Sequence, residues 1–323
     1  MTQPISDAEI QRFERSMSDK FGRQVAISGI PLKNFVDVDS GLLEKKVNSL
    51  IMQGATDEAG YWRDIARVYT MTTPIEVVGL HSMRDYKVRT GKMSRAALEE
   101  AGGKIDSVTL DVSNDEKIRY LYLEIDENDL RLGKINSIED AIKTAGSAFA
   151  KHVRDDIISA YLTHKGADVE QALSTDKRYA ALFKLAAKMN KKGFGMNCII
   201  VDADDLVQAI TEETDNGHLA WLTAMQAGAS FGNNFASSIG NLNGHIGMFG
   251  AKVPIYVVGD TSASLNGTIL GVDKDKGIAV GLYEDMRFAK NVNTMKDLVE
   301  AKIQARYDIE KANANAIGWV SGA

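Results

Sequence analysis

The chain has 323 residues, 44% of them hydrophobic and 25% charged, with a net charge of −6 at pH 7. That length supports one large or two ordinary globular cores, the composition excludes wholesale disorder, and the acidic balance argues against a dedicated nucleic-acid reader. The single cysteine, Cys198, excludes an intramolecular disulfide and fits a reducing compartment, and the expectation is of a soluble chain without signal peptide or membrane span.

Residues 1–40 are mixed in charge, with one short amphipathic piece at 7–17, and read as an arm with little core of its own. "LLEKKVNSLIMQ" at 42–53 predicts a helix with Leu43, Val47, Leu50 and Ile51 on one face. "VYTMTTPIEVVGL" predicts two short extended pieces hinged at Pro74. From Ser82 to Ser107 the chain is polar and carries Arg84, Lys87, Arg89, Lys92, Arg95 and Lys104. It is too long for an ordinary connection. Strand patterns flank it, "EVVGL" before and "VTLDV" then "KIRYLYLEI" after, so it reads as the excursion of a very long hairpin.

The period then switches. "INSIEDAIKTAGSAFAKHVRDDIISAYL" puts Ile135, Ile138, Ala141, Ile142, Ala145, Phe149, Val153, Ile157 and Tyr161 on one helical stripe. Asn136 with Glu139 resembles a capping box. A helix of ~27 residues is about 40 Å long. From 168 to 285 the pattern is compact α/β. "YAALFKLAAKMNKKG" is a helix with a glycine stop, "FGMNCIIVD" a buried strand and "ADDLVQAITEET" a second helix. "AKVPIYVVGD", "GTILGVD" and "GIAVGLYED" are strands separated by turns, one of them the tight turn "VDKDKG" at 272–277. In "LVEAKIQARYDI" at 298–309 every second residue is apolar or small, which predicts a strand of roughly 40 Å with a buried face and a wet, charged one.

Chemistry is hard to find. The five histidines show no HxH or HExxH pairing. "TGKMS" at 90–94 fails as a phosphate loop, because Tyr86 stands where the first glycine belongs and Met93 where a metal-holding hydroxyl belongs. Cys198 lies in an apolar run and reads as an inert buried thiol. Asp204–Asp205 and Glu212–Glu213 read as solvated helix-surface charge. The glycine- and asparagine-rich stretch 228–250 is the best candidate for a ligand-cradling loop, but it lacks the strand-turn-helix order of a dinucleotide site. No catalytic, cofactor-binding or metal-binding residue is assigned.

The strand-then-helix segment from "KIRYLYLEI" to "DDIISAYL", the strands "VPIYVVGDTSASLNGTILGVDKDKGIAVGLYED" and the ending "IQARYDIEKANANAIGWV" together resemble the major capsid proteins of tailed viruses with the Hong Kong 97 fold. The likeness spans nearly the whole chain. It implies an α+β capsid fold with an N-terminal arm at 1–70, a strand and E-loop excursion at 71–112, and a P-domain with its spine helix at 113–167. An A-domain at 168–285 and P-domain return strands at 286–323 complete it. It further implies intersubunit contacts by Arg84, Lys87, Arg89, Lys92 and Arg95, and a spine-helix core of Ile138, Ile142, Ala145, Phe149, Val153 and Ile157. Some relatives cross-link a loop lysine to a neighbour's asparagine. Lys87, Lys92 and Lys104, and Asn313 or Asn315, occupy the matching regions.

The function implied is a non-enzymatic subunit that self-assembles into an icosahedral shell around double-stranded DNA, made in the host cytoplasm and found in the virion. Its partners would be its own copies as pentamers and hexamers, a separate scaffolding protein, a portal and a protease. Contact with packaged DNA would be weak and non-specific, with no membrane involved. Two alternatives stay open: an encapsulin-type shell around a cargo enzyme, and an α/β enzyme using the 228–250 loop.

Overall fold

Leucine- and valine-spaced positions give the first described helix, α1 (Ser40–Ala59), in which Val47, Leu50, Ile51 and Ala55 are buried. The computed structural model describes residues 40–59, 62–80, 106–126, 135–173, 177–212, 244–248, 251–258, 265, 267–293 and 298–322. After α1 come the single turn α2 (Trp62–Ile65) and strands β1 (Arg67–Thr70), β2 (Ile75–Leu80), β3 (Asp106–Asp111) and β4 (Ile118–Asp126). The long helix α3 (Ile135–His164) follows, then β5 (Glu170–Ala172), α4 (Arg178–Lys192), β6 (Cys198–Asp202) and α5 (Ala203–Thr211). The remainder is extended: β7 (Gly244–Met248), β8 (Ala251–Val258), β9 (Thr268–Val272), β10 (Ile278–Asn293), β11 (Leu298–Lys311) and β12 (Ile317–Ser321).

The strands form a four-stranded sheet in the order β1-β10-β11-β4, a six-stranded sheet in the order β5-β12-β9-β6-β8-β7, and the pair β2-β3. By contact density the chain divides into two units, one of 1–61, 112–153 and 282–307 and one of 62–111, 154–281 and 308–323.

In the first unit, α1 crosses the N-terminal part of α3 at backbone contact. A Cβ on Gly54 would overlap the carbonyl oxygen of Lys143, and one on Gly146 the carbonyl oxygen of Ile51. The two close points lie three residues apart on each helix, so they fix where the helices meet. This is why α1 runs through Gly54 rather than stopping near 53: the glycine is a packing surface, not a terminator. On α3 the stripe is wider than one residue per turn, because Ala150 is buried beside Phe149. Ala141 is exposed, off the stripe on which it was expected.

The second unit holds the α/β core. Helix α4 buries Ala181, Leu182, Leu185, Ala186 and Met189 against Ile199, Val201, Ile255, Ile269 and Val320 of the six-stranded sheet. It ends where expected, at Gly193, whose φ of 87° an L side chain rarely adopts. Strand β6 sits between β8, parallel to it, and β9, antiparallel. A strand covered on both faces reads as a continuous apolar run, as "CIIV" does.

Three expectations shift. Strand β10 does not stop at Asp285 but runs 16 residues to Asn293. The last strand, expected among the return strands of 286–323, hydrogen-bonds to β9 and β5 of the six-stranded sheet. The charged face of β11 is less wet than expected: of its described side chains, Lys302, Gln304 and Arg306 are half-buried, and Asp308 is only 2% exposed. Neighbouring strands and their side chains cover it.

Replacing Gly54 or Gly146 by Ala should destabilise the chain by about 1–3 kcal/mol through overpacking, despite alanine's better helix propensity. Gly195, whose Cβ would meet nothing within 4 Å, should tolerate Ala. Urea unfolding of the three variants checks this, and equal midpoints would refute the crossing.

Candidate functional site

Two strand surfaces and one turn dominate the polar architecture. The first surface is the root of the long hairpin. Strands β2 and β3 pair antiparallel from Ile75↔Asp111 to Leu80↔Asp106, so the strand pair that brackets the polar excursion exists as the sequence suggested. One face of the ribbon is anchored. Leu110 is fully buried, and a Cβ on Gly281 would strike both Leu110 and Met71, so β10 passes at glycine distance. The opposite face is open: Ile75 is 54% exposed and Val77 64%. The corner before it is tied locally, the Thr73 hydroxyl donating to the Ile75 carbonyl and the Thr72 N–H to Glu76.

Asp308 fixes the far end of that ribbon. Its Oδ2 accepts the N–H of Asp111 at 2.9 Å, and its Oδ1 accepts the N–H of Ile309 at 2.9 Å. A polar residue in an alternating strand reads as solvent-facing. Here the last N–H of β3 needs an acceptor and the carboxylate supplies it. Nothing in the sequence signals this pairing across the chain.

The second surface belongs to β4, paired with β11 from Ile118↔Arg306 to Asp126↔Leu298. Tyr120 is 66% exposed and Tyr122 49%. Lys302 lies with its Nζ 4.7 Å from the Tyr120 ring centre. Gln304 donates to Glu284, and Arg306 to the Ser113 carbonyl at 3.0 Å. Lys302, Arg306 and Asp308 of β11 are therefore engaged with partners in the same chain.

The turn Asp273–Gly277 gathers other segments. Asp273 accepts the Gly195 and Asp275 N–H groups and the Asn197 amide, each at 3.3 Å. The Asn197 amide also donates to Asp275, and its oxygen accepts the Lys274 N–H. Burial pushes the Asp273 carboxyl above its usual range, only partly offset by the N–H groups of Gly195 and Asp275.

In the two acidic pairs read as solvated, Asp204 is exposed as expected, and one member of each pair differs. Asp205 is buried at the start of α5, and burial, with Asp202 beside it, raises its carboxyl. Glu212, at the end of α5, accepts the N–H of Arg178 at 2.7 Å and so caps α4 from outside. Glu213 lies outside the described residues. Helix α4 has no capping side chain of its own, and that unmet N–H explains why a carboxylate is held there.

Of the expected core positions on α3, Ile142, Ala145, Phe149, Val153 and Ile157 are buried; the side chain of Ile138 is not among those described. Arg84, Lys87, Arg89, Lys92, Arg95 and Lys104 lie outside the described residues, as does most of 228–250, of which 244–248 is β7. Asn313 accepts the Asn315 N–H and caps a short turn. Cys198 is buried and its thiol is pushed well up by burial, which removes thiolate reactivity. Among the described residues no group of three or more His, Cys, Asp or Glu could hold a metal ion, and no helix is long and apolar enough to cross a membrane.

No protein-family model matches the sequence, and no curated protein does. Solved structures do match. The capsid of an empty GTA particle is 15% identical with a TM-score of 0.56, over 82% of this chain and 90% of that one. A virus-like particle from Pyrococcus furiosus is 13% identical with a TM-score of 0.55, over 86% of this chain and 98% of that one. A structure from Mycobacterium phage Bobi is 13% identical with a TM-score of 0.53, over 80% and 89%. At such identities the likeness is one of fold, and the fold is the Hong Kong 97 type.

Two outcomes test the geometry. Asp308→Ala should cost about 1–3 kcal/mol, the penalty of a stranded N–H, and accelerate amide exchange at Asp111 while α4 stays protected. Unchanged exchange at Asp111 would remove Asp308 from its role. Asp273 carries a raised carboxyl, so the folded chain holds a proton that the unfolded chain has already lost. Stability from this group should therefore fall as pH rises through the window just above the ordinary carboxylate pKa. In Asp273→Asn that component of the urea-midpoint profile should vanish.

Proposed function

We propose that this chain is a major capsid protein, a subunit that assembles with its own copies into a closed icosahedral shell around double-stranded DNA. The observation that carries the proposal is the fold-level likeness to particle-forming proteins, covering most of this chain and nearly all of theirs. In the terms of that fold, 1–70 serves as the N-terminal arm and 71–112 as strand and E-loop. The P-domain takes 113–167 with 286–323, except that its last strand, β12, joins the six-stranded sheet, and the A-domain takes 168–285.

The chemistry agrees with a structural role. Ile75 and Val77 present apolar surface on a strand ribbon, and such surface is commonly covered at an interface. Their face meets a neighbouring copy, and Arg84, Lys87, Arg89, Lys92 and Arg95 extend that contact. Scaffolding protein, portal and protease are separate chains in this scheme. With a net charge of −6, the subunit repels packaged DNA on average, so the genome is held by enclosure and contacted only weakly and without sequence preference. The virion is its site of action, after assembly in the host cytoplasm.

A second reading, a shell around a cargo protein, draws on the match to the Pyrococcus furiosus particle, which has the higher coverage of both chains. Shells isolated from the native source separate the two: nuclease-protected DNA inside favours the virus, a single enriched protein the cargo shell.

Purified protein, alone or co-expressed with its scaffold, should form closed shells or capsomer rings by electron microscopy. A monomer under every condition sinks the proposal. Val77→Glu should leave stability within about 0.5 kcal/mol, as expected for a surface change, yet block shell formation. Normal shells from that variant would remove the hairpin face from the interface.

A further inference from the structure

Helix α4 and the residue before it carry Lys177, Arg178, Lys184, Lys188, Lys191 and Lys192 and no acidic residue. In a chain whose acids outnumber its bases, 44 to 38, that is a local reversal of sign. Lys177, Lys184, Lys188 and Lys191 are exposed. Lys177, Lys184 and Lys191 recur every second turn, so they line one side of the helix over about 21 Å.

Helix stability does not account for this row. Lys184 with Lys188, and Lys188 with Lys192, are like charges one turn apart, a spacing that destabilises a helix. The macrodipole favours cations in the last turn, where Lys191 and Lys192 stand. It disfavours them at the start, where Lys177 holds the N-cap position without a side-chain hydrogen bond. Two counter-charges come from outside the helix: Glu212 lies 3.6 Å from Arg178, and Asp168 lies 2.8 Å from Lys192. Lys188 is held differently. Its ammonium donates to the Glu170 carbonyl at 2.6 Å, a neutral partner that fixes the cation in place and leaves its charge. Between the lysines the face is bare, with Ala180 and Ala187 half-buried beside Lys184 and Lys191. The nearest aromatics on the helix, Tyr179 and Phe183, stack edge-on with ring centres 4.7 Å apart and pack against the core. Protein partners are anchored by aromatic side chains seated in pockets. A phosphate backbone is bound through charge and needs no such anchor.

We propose that the outer face of α4, through Lys177, Lys184, Lys188 and Lys191, is a docking surface for the phosphate backbone of duplex DNA. A straight row of cations on a rigid helix suits a stiff rod of even charge. Binding there is indifferent to sequence, because phosphate contacts carry no base information. It is also weak, because so few contacts release few counterions. If the chain is a shell subunit, this is where an enclosed genome touches a wall whose net charge has the same sign as its own; that use rests on the proposed function, the binding itself does not.

The test is fluorescence anisotropy of a labelled, mixed-sequence duplex titrated with the full-length, unassembled protein across a range of salt. From about 50 to about 200 mM salt, the wild type should lose about tenfold more affinity than Lys184→Ala/Lys191→Ala, because each phosphate contact adds about 0.9 to the logarithmic salt slope. Both positions are exposed, so the circular dichroism spectrum should stay unchanged. Lys184→Arg/Lys191→Arg should keep the wild-type slope. Lys311→Ala, which removes an exposed charge elsewhere, should keep it too; a shallower slope there would mean that net charge alone acts, and would overturn the surface. Equal slopes in the wild type and the double alanine variant would also overturn it. So would displacement of the duplex by polyglutamate at equal charge concentration, which would mark a site for acidic protein. Failure of the chain to assemble would count against the shell and leave this titration standing, while a flat titration would remove the α4 surface and leave the shell.

Discussion

Backbone polar groups that leave water must find partners, and in the second unit one turn absorbs an unusual share of that demand. The Lys274 carbonyl accepts the N–H of Arg67, the Gly277 carbonyl accepts those of Ala312 and Asn313, and the Asp273 N–H donates to Ala316. Asn197 adds its own N–H to Val272 and both ends of its amide to the turn. The start of β1, the approach to β6, the β9–β10 turn and the stretch before β12 are thus fixed at one place. The buried Tyr161 hydroxyl donates to the Ile65 carbonyl at 2.7 Å and brings α3 to the same neighbourhood. The hairpin root inherits its position from this knot through β1 and through Gly281, a few residues beyond the turn.

Periodicity made the scaffold legible. The apolar spacing of α3, the glycine end of α4, the unbroken run of β6 and the strand pair around the polar excursion all follow from side chains choosing between water and core. Such choices are local and leave a mark in the order of residues. The parts that escaped are those where one residue answers a need arising elsewhere in the chain. Asp308 caps a strand end 197 positions away, Glu212 caps a helix that begins at 178, and Gly54 admits a carbonyl from α3. Each looks, in its own neighbourhood, like a surface acid or a helix terminator. The placement of β12 escaped for the same reason. Its sequence says strand but names no partner, and the free edge of β9 decides.

The fold shared with the GTA and Pyrococcus furiosus particles survives at 15% and 13% identity because it asks for patterns rather than particular residues. A long apolar stripe, alternating strands and a glycine after α4 can be met by many sequences. The close contacts are less forgiving. Gly281 leaves room for Met71 and Leu110, and Gly318 lies against Leu185 and Met189; a side chain at either would displace a core residue. Identity is therefore expected to concentrate at backbone approaches and not along faces.

On the proposed shell reading, the hairpin presents an interface that does not weaken the frame. Two strands alone are marginal in water, and an open ribbon bearing Ile75 and Val77 invites aggregation. The ribbon is held from one side only: Leu110 is buried near Gly281 and Met71, and Asp308 binds the end of β3. None of these anchors lies on the face that carries Ile75, Val77 and Thr109, so that face contributes little to the chain's own stability. Its chemistry can change without unfolding the ribbon, and its burial can be deferred until another surface arrives.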